Sequence, residues 1–478
     1  MSERVSRSGA PAPKVGIVHL GLGAFFRAHG ALYTTDVDGA GEWGILGVSL
    51  RRPDQRDRLA PQGFAYTAVE MRPEGPEARH VEQVVGVLVA PEEPEAVLAA
   101  MADPAVRVVT LTVTEKGYGH RPSDGSLDRA NADITHDIMN PREPRSAPGF
   151  LVEALHRRRE AGVPPFTVLS CDNLPDNGRT ARGVAVALAR ENDVALADWI
   201  EAQVPFPSSM VDRIVPATSE DDLATVERLT GCHDASPVMH EPFRQWVVED
   251  RFAHGCPAWE RAGAQMVADV APFEAMKLRC LNGTHSALAY LGYLAGQETI
   301  AETVAAPGFE GLLRRLWSEE IVPSLEPPEG TDLGAYTVEL LGRYRNPAIR
   351  HRTWQIAMDG SQKLPQRILG TVADNLADGR PIEGLALAVA AWIAYASGRD
   401  ERGKAIDVRD PLAERLAGIA SRHDDPAARA VAFLEVAEVF PPGLAANERF
   451  RDAVREAATG LARDGAAARV LAYAEGGA

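Results

Sequence analysis

Val15-Gly-Ile-Val-His-Leu-Gly21-Leu-Gly23-Ala-Phe-Phe-Arg-Ala-His29 is the stretch that decides the fold. Val15–Leu20 is a short apolar run with β-branched residues, the pattern of a buried strand. Gly21-Leu-Gly23 interrupts it, and Ala24–His29 opens a helix-like segment. A strand, a glycine turn and a helix, in that order, begin a dinucleotide-binding βαβ unit. The turn lets a pyrophosphate approach the backbone, and the helix N-terminus offsets its charge. Phe26 stands where the usual fingerprint has its third glycine, so the reading depends on the strands that follow.

Those strands are present. Trp43–Leu50 is a second buried run, followed by Arg51, Arg52, Pro53 and Asp54. An acid at this place bonds the adenosine ribose and favours NAD, which suits Asp54; the two arginines would instead welcome the 2′-phosphate of NADP. The reading leans to NAD and leaves NADP open. Val106–Val113 alternates and is rich in β-branched residues, a third strand. Thr114, Glu115 and Gly117 lie at its carboxyl end, where open parallel sheets bind their ligands. Residues 119–148, rich in Asp, Asn, Pro and Arg, read as a surface excursion. A helix from Phe150 to about Ala161 leads to the strand Pro165–Ser170, which ends in Cys171-Asp-Asn173. Asn173 either reaches a reacting centre or serves turn chemistry through its own backbone. Met210-Val-Asp-Arg-Ile-Val215 then offers Asp212 and Arg213, and Glu241–Asp250 sets Arg244 among aromatic residues.

From Phe273 onward strand patterns nearly vanish and Ala, Leu, Arg and Glu dominate, so the second half reads as mostly helical. Its first element, Phe273-Glu-Ala-Met-Lys-Leu-Arg-Cys-Leu-Asn-Gly-Thr-His285, carries Glu274, Lys277, Asn282 and His285. On an α-helix at about 100° per residue these four fall within an arc of roughly 140°. One reading is an amphipathic surface helix with a Glu274–Lys277 pair. The other is a proton-transfer site, in which a lysine takes the proton, an amide holds an oxygen and an imidazole orients a hydroxyl. Farther on, Arg350, Arg352, Lys363 and Arg367, with His351, concentrate cations. They form either a solvated loop or a wall that grips a carboxylate.

The totals narrow the classes. At 478 residues the chain should hold two domains. The expected division is a disordered leader over 1–13, an α/β dinucleotide-binding domain over 14–270 and a mostly α-helical domain over 271–478. A net charge of −17 argues against nucleic-acid and anionic-membrane partners. It also requires a local cationic cluster if the substrate is an anion. Four scattered cysteines with no C-x-x-C pair fit a reduced cytoplasmic protein better than a disulfide framework or a zinc site. The chain shows neither a signal-peptide pattern nor an apolar run of membrane-spanning length.

Several stretches together resemble one family, the polyol-specific long-chain dehydrogenases. They are Gly21-x-Gly-x-Phe-x-Arg-Ala-His29, Thr112-Val-Thr-Glu-x-Gly-Tyr118, Ser170-Cys-Asp-Asn173, Met210-Val-Asp-Arg213 and Lys277-x4-Asn282-Gly-x-His285. The resemblance runs from about Val15 to the C-terminus. It implies metal-independent, NAD(P)-linked oxidation of a secondary alcohol in a sugar acid or polyol, by a monomer or small homo-oligomer. Lys277 matches the general base, Asn173 and Asn282 the pair that hold the substrate oxygen, and His285 the residue that orients the substrate. Asp212 matches a substrate contact and Glu274 a carboxylate that gates proton escape. Gly21, Gly23, Phe25, Arg27, Asp54, Thr114, Glu115 and Gly117 are the expected cofactor neighbours. Within the family, Phe243–Trp246, Met276–Arg279 and Arg350–Pro365 resemble the fructuronate reductases more than the mannitol 2-dehydrogenases. Arg244, Arg279 and Arg352 are therefore the expected carboxylate partners, with Lys363 near the substrate. The chain departs from the family at Phe26, where a histidine is common.

Overall fold

The computed structural model describes residues 3–121 and 125–476. The chain divides into two compact units, residues 1–271 and 272–478.

The first unit is built on five parallel strands: Val15–Leu20, Gly44–Ser49, Val84–Val89, Val108–Leu111 and Thr167–Ser170. They lie in the order third, second, first, fourth, fifth, the doubly wound order with its switch point beside the first strand. Both faces of the sheet are buried, as a parallel sheet requires. Val18, Leu20, Val109, Leu111 and Val168 pack on one side, and Ile17, Val108 and Leu169 on the other. Removing such side chains from water stabilises the sheet by about 1.5–3 kcal/mol each. Among the buried polar residues of these strands, His19 and Thr110 satisfy each other, with Nδ1 and Oγ1 2.8 Å apart. Three small sheets flank this core, pairing Glu3–Arg4 with Cys232–His233, Tyr66–Arg72 with Gly75–Val81 and Val238–His240, and Gln245–Glu249 with Ser209–Asp212 and Gln265–Val267.

Every named element from Ala271 onward in the second unit is helical. Its central helix, Glu383–Ala396, is buried along almost its whole length and packs against Thr284–Leu294 and Glu448–Asp464. Three π-helical segments interrupt the α-helices: Lys277–Gly283, Leu316–Ile321 and Pro365–Leu369.

One sequence expectation needs correction and two gain detail. Residues 3–13 are not a loose leader: Glu3–Arg4 forms a strand, Val5 is buried, and Arg7 donates to the Glu82 carbonyl. The surface excursion of residues 119–148 contains a helix, Ala132–Met139, capped by Asn131. The helix after the glycine turn stops at Ala28 and restarts at Gly30, because His29 leaves the helical region (φ −129°, ψ −89°).

His19, His29 and His240 are buried in the first unit, and desolvation pushes each down to about 3 from an ordinary 6.5. The folded protein therefore holds them neutral, whereas the unfolded chain takes up protons below about pH 6.5. Stability should be full above that pH and fall as the pH drops toward 5, by about 1.4 kcal/mol per unit per histidine. The carboxyls of the buried Glu320 and the partly buried Asp172, raised by desolvation, act in the opposite direction but are fewer. Thermal denaturation followed between pH 7 and 5 checks this; a flat midpoint would contradict it.

Candidate active site

The glycine turn is fixed by a chain of hydrogen bonds from the sheet. Thr112 Oγ1 donates to the Gly21 carbonyl (2.9 Å) and lies 2.9 Å from His19 Nε2. With its single proton spent on Gly21, Thr112 must accept from His19, which sets the Nε2–H tautomer. Gly21 has φ +93°, and a Cβ there would lie 2.2 Å from the Thr112 carbonyl, so no other residue fits. At Gly23 an added Cβ would find nothing nearer than the Gly21 carbonyl at 3.8 Å. That open side is where a pyrophosphate can approach the backbone. Phe26 stacks flat on His19, with ring centroids 3.5 Å apart, and occupies the interior rather than the turn. A cavity of about 750 Å³ opens at the carboxyl ends of the second and third strands, lined in part by Leu50, Arg51, Ala90, Pro91 and Phe150. Gly21 and Gly23 are not part of that lining; in a doubly wound fold the turn is the place for the pyrophosphate, and the ends of the neighbouring strands are the place for the adenosine.

The expected cofactor neighbours divide. Gly21 and Gly23 form the turn, and Phe25 stacks on His29 at a centroid distance of 5.2 Å. Arg27 is corrected: it is buried, donates to the Ser236 carbonyl and hydroxyl and lies over the Tyr66 ring. It braces the fold. Asp54 is exposed in the first turn of Asp54–Leu59, and Arg51 rather than Asp54 lines the cavity, paired with Asp133 at 3.2 Å.

Thr114, Glu115 and Gly117 follow the fourth strand, the last two in a short 3₁₀ turn. Thr114 is held at φ 63°, ψ 162°, a conformation that costs a side-chain-bearing residue on the order of 1–3 kcal/mol. Asn173 is exposed just past the fifth strand, and Asp212 is buried at the end of Ser209–Asp212. Arg244 is not available as a charge: its guanidinium pairs with Asp36 at 2.7 Å, donates to the Ala262 carbonyl and lies over Tyr33.

In the second unit, the residues expected on an α-helix lie on a different helix. Along an α-helix, five residues leave Lys277 and Asn282 about 140° apart. A π turn closes its ring at i to i+5, so residue 282 returns close above residue 277. The wider turn is held by side chains that reach its carbonyls. Trp317 Nε1 and Thr284 Oγ1 donate to Cys280, and Tyr344 donates to Leu281. Gly283 closes the arrangement, because a Cβ there would lie 2.7 Å from the Arg367 carbonyl, on a neighbouring π segment. Lys277, Asn282 and His285 are all buried, and Glu274 lies three residues before the lysine, partly buried.

Asn282 Nδ2 and His285 Nε2 are buried without a hydrogen-bond partner, as is His351 Nδ1 on the ring that meets His285 edge to face at 4.8 Å. Unsatisfied buried donors and acceptors are costly and point to a missing ligand. Desolvation, reinforced by His351, Arg367, Arg343 and Lys363, holds the His285 imidazole well below its ordinary value and hence neutral. Desolvation first, and then Arg367, lowers Lys363 to about 8; burial also lowers Arg367. Lys363 donates to the Ile356 carbonyl and Arg367 to Ser286 Oγ; Asp359 and Asp410 partly offset the lowering of Lys363, but among the described residues neither cation forms an ion pair.

Arg279 and Arg352 do not join this cluster. Arg279 pairs with Asp374 at 2.6 Å and donates to Ser324, on another side of the π turn. Arg352 is exposed at the start of Thr353–Ala357. In their place stand Arg367, seen in the sequence only as one of a run of cations, and Arg343, which no motif marked. The signal for Arg343 would have been a cation on the apolar face of Leu333–Tyr344.

The family model of the mannitol dehydrogenase Rossmann domain matches residues 15–261, and that of the mannitol dehydrogenase C-terminal domain matches residues 269–462. The D-mannonate oxidoreductase of Escherichia coli K12 is 47% identical over 94% of this chain and 94% of its own. A mannitol 2-dehydrogenase of Phaeosphaeria nodorum is 39% identical over 96% of this chain and 82% of its own. The structure of Pseudomonas fluorescens mannitol 2-dehydrogenase, in a ternary complex with NAD and D-mannitol, superposes with a TM-score of 0.87 at 38% identity, covering 98% of this chain and 96% of that one. The chain belongs to the mannitol dehydrogenase family and is an oxidoreductase acting on CH–OH groups.

Replacing Gly283 by alanine should force the Arg367 backbone away, at a cost of about 1–3 kcal/mol in stability. Turnover should fall further than the melting point alone accounts for. A G283A variant with unchanged kcat would show that the contact does not shape the site.

Proposed function

We propose that the chain interconverts D-mannonate and D-fructuronate with NAD, at the secondary alcohol next to the terminal hydroxymethyl. The observation that carries this reading is Arg367, a cation largely withdrawn from water beside His285 that forms no ion pair among the described residues, together with Lys363, whose charge Asp359 and Asp410 offset only from a distance. A buried charge is tolerable when an opposite charge joins it. A sugar acid brings that charge and a polyol does not. In a protein of net charge −17 such a cluster has to be built against the overall field. The 47% identical D-mannonate oxidoreductase supports the same choice.

NAD, when bound, accepts the hydrogen and electron pair leaving the alcohol carbon, and NADH returns them in the reverse direction. The glycine turn at Gly21 and Gly23 and the cavity beside Arg51 would hold it. The proton is the work of the chain itself. In oxidation Lys277 as amine takes the hydroxyl proton, and in reduction as ammonium it gives the proton back. The amides of Asn173 and Asn282 donate to the oxygen as negative charge develops there, the oxyanion role that preorganised donors serve. Neutral His285, its Nε2 without a partner in the protein, orients a substrate hydroxyl. Asp212 adds a further contact to the substrate hydroxyls, and Glu274 offers the lysine proton a way out.

Lys277→Ala should lower kcat by about 10²–10⁴-fold while NADH still binds, as read by its fluorescence. Full turnover in that variant would end the mechanism. Arg367→Met should reduce kcat/KM for D-mannonate by roughly tenfold or more, the equivalent of about 1.4 kcal/mol, and that for D-mannitol much less. Equal losses on both would remove the sugar-acid assignment. Lys363 loses its proton near pH 8, so KM for D-mannonate should climb above that pH. An unchanged KM at pH 9.5 would exclude Lys363 as a carboxylate partner.

A further inference from the structure

Asp172 has no part in the chemistry above, yet it joins three strand ends that carry the first unit's functional residues. One carboxylate oxygen accepts the Val113 N–H (2.9 Å) and the Tyr118 hydroxyl (2.8 Å), and the other accepts the Thr114 N–H (2.9 Å). Tyr118 also shares a hydrogen bond with Ser170 on the fifth strand. The Asp172 carbonyl accepts from Asn177 Nδ2 (3.0 Å). Asn177 in turn donates to the Ser209 carbonyl and accepts the Ser209 N–H, at the start of the strand that ends in Asp212. One residue thus binds the loop of Thr114–Gly117, the turn of Asn173 and the strand of Asp212 into a single block.

The loop held this way would not stay by itself. Thr114 sits at φ 63°, ψ 162°, a region that is essentially glycine's alone. Its N–H and that of Val113 both point at Asp172. The two N–H groups go to separate oxygens of the carboxylate, and an amide in the same place would present one oxygen and one NH2 to them. Asn173, next in the chain, inherits its position from the same anchor.

We propose that Asp172 is a positioning residue of the redox reaction, which sets the Thr114–Gly117 loop against the cofactor and the Asn173 amide against the substrate oxygen by one carboxylate. The inference rests on the role given to Asn173 above for its kinetic half only; its cofactor half stands on the fold.

Asp172→Asn keeps the size and removes one acceptor, placing an amide N–H against a backbone N–H. NADH affinity and kcat should each fall roughly tenfold or more. Thr114→Gly added to Asp172→Asn removes the need to force a side chain into that conformation, and should return a good part of the NADH affinity without restoring the lost hydrogen bond. Tyr118→Phe, which deletes one of the three bonds, should show a smaller loss of the same kind in a chain that still folds. Rescue by glycine is the readout that a purely structural aspartate would not give. Asp172→Asn with both parameters within about twofold of the parent, or a double variant with no recovery of NADH affinity, would overturn the proposal. If Asn173→Ala retains full turnover, the role of Asn173 fails, and the NADH measurements still decide the clamp.

Discussion

The second unit depends on one contact without a side chain in it, the approach of Gly283 to the Arg367 carbonyl. Two π segments meet there. Each is a helix that has let go of its ordinary i to i−4 pattern, and each has a local reason. Pro365 has no N–H to give, and the carbonyls freed around Cys280 and Leu281 are taken by Trp317, Thr284 and Tyr344. The result is a short stretch in which Lys277 and Asn282 lie one above the other, with His285 a turn farther on and Lys363 and Arg367 on the adjoining element. A regular α-helix would have spread the first pair around its circumference.

Charge is handled in two opposite ways. Arg244 and Arg279 each have an aspartate partner and are electrically closed. Lys363 and Arg367 are partly buried and form no ion pair among the described residues, with Asp359 and Asp410 acting on Lys363 only from a distance. Desolvated positive charge is unfavourable in the free protein and becomes favourable once an anion arrives. The strain stored there is thus paired to the ligand. Thr114 is the backbone counterpart in the first unit: its conformation is unfavourable in isolation and is kept by the two N–H bonds to Asp172.

Much of this was legible in the sequence and part was not, for physical reasons. The first, second, fourth and fifth strands of the parallel sheet announce themselves, because a strand covered on both faces must be apolar throughout. Val84–Val89 carries the same apolar signal and is passed over only because no functional motif follows it, the chain running on into Pro91-Glu-Glu-Pro94. Lys277, Asn282 and His285 were marked by type and spacing, but the α-helical period could not reveal the π turn, since hydrogen-bond register leaves no trace in composition. The arginines show the same limit. Arg279 and Arg367 are alike as letters, and only the position of Asp374 tells which one is already neutralised. Asp172 attracts no role in the sequence, because its partners lie about sixty residues earlier in the chain.

The π turn at 277–283 is also an insertion. A π turn carries one residue more than the α turn it replaces, so removing any single residue from this stretch would let the helix close in the ordinary way. The α turn left behind would cover the same rotation with one residue fewer, so His285 and the buried face of Thr284–Leu294 would stay in register with the elements packed on them. The loss would fall inside the turn. The Cys280 and Leu281 carbonyls would return to the helix's own N–H groups, and the Trp317, Thr284 and Tyr344 donors would lose their acceptors. The extra residue thus serves the local wiring of the site, while the core beyond it does not depend on the insertion.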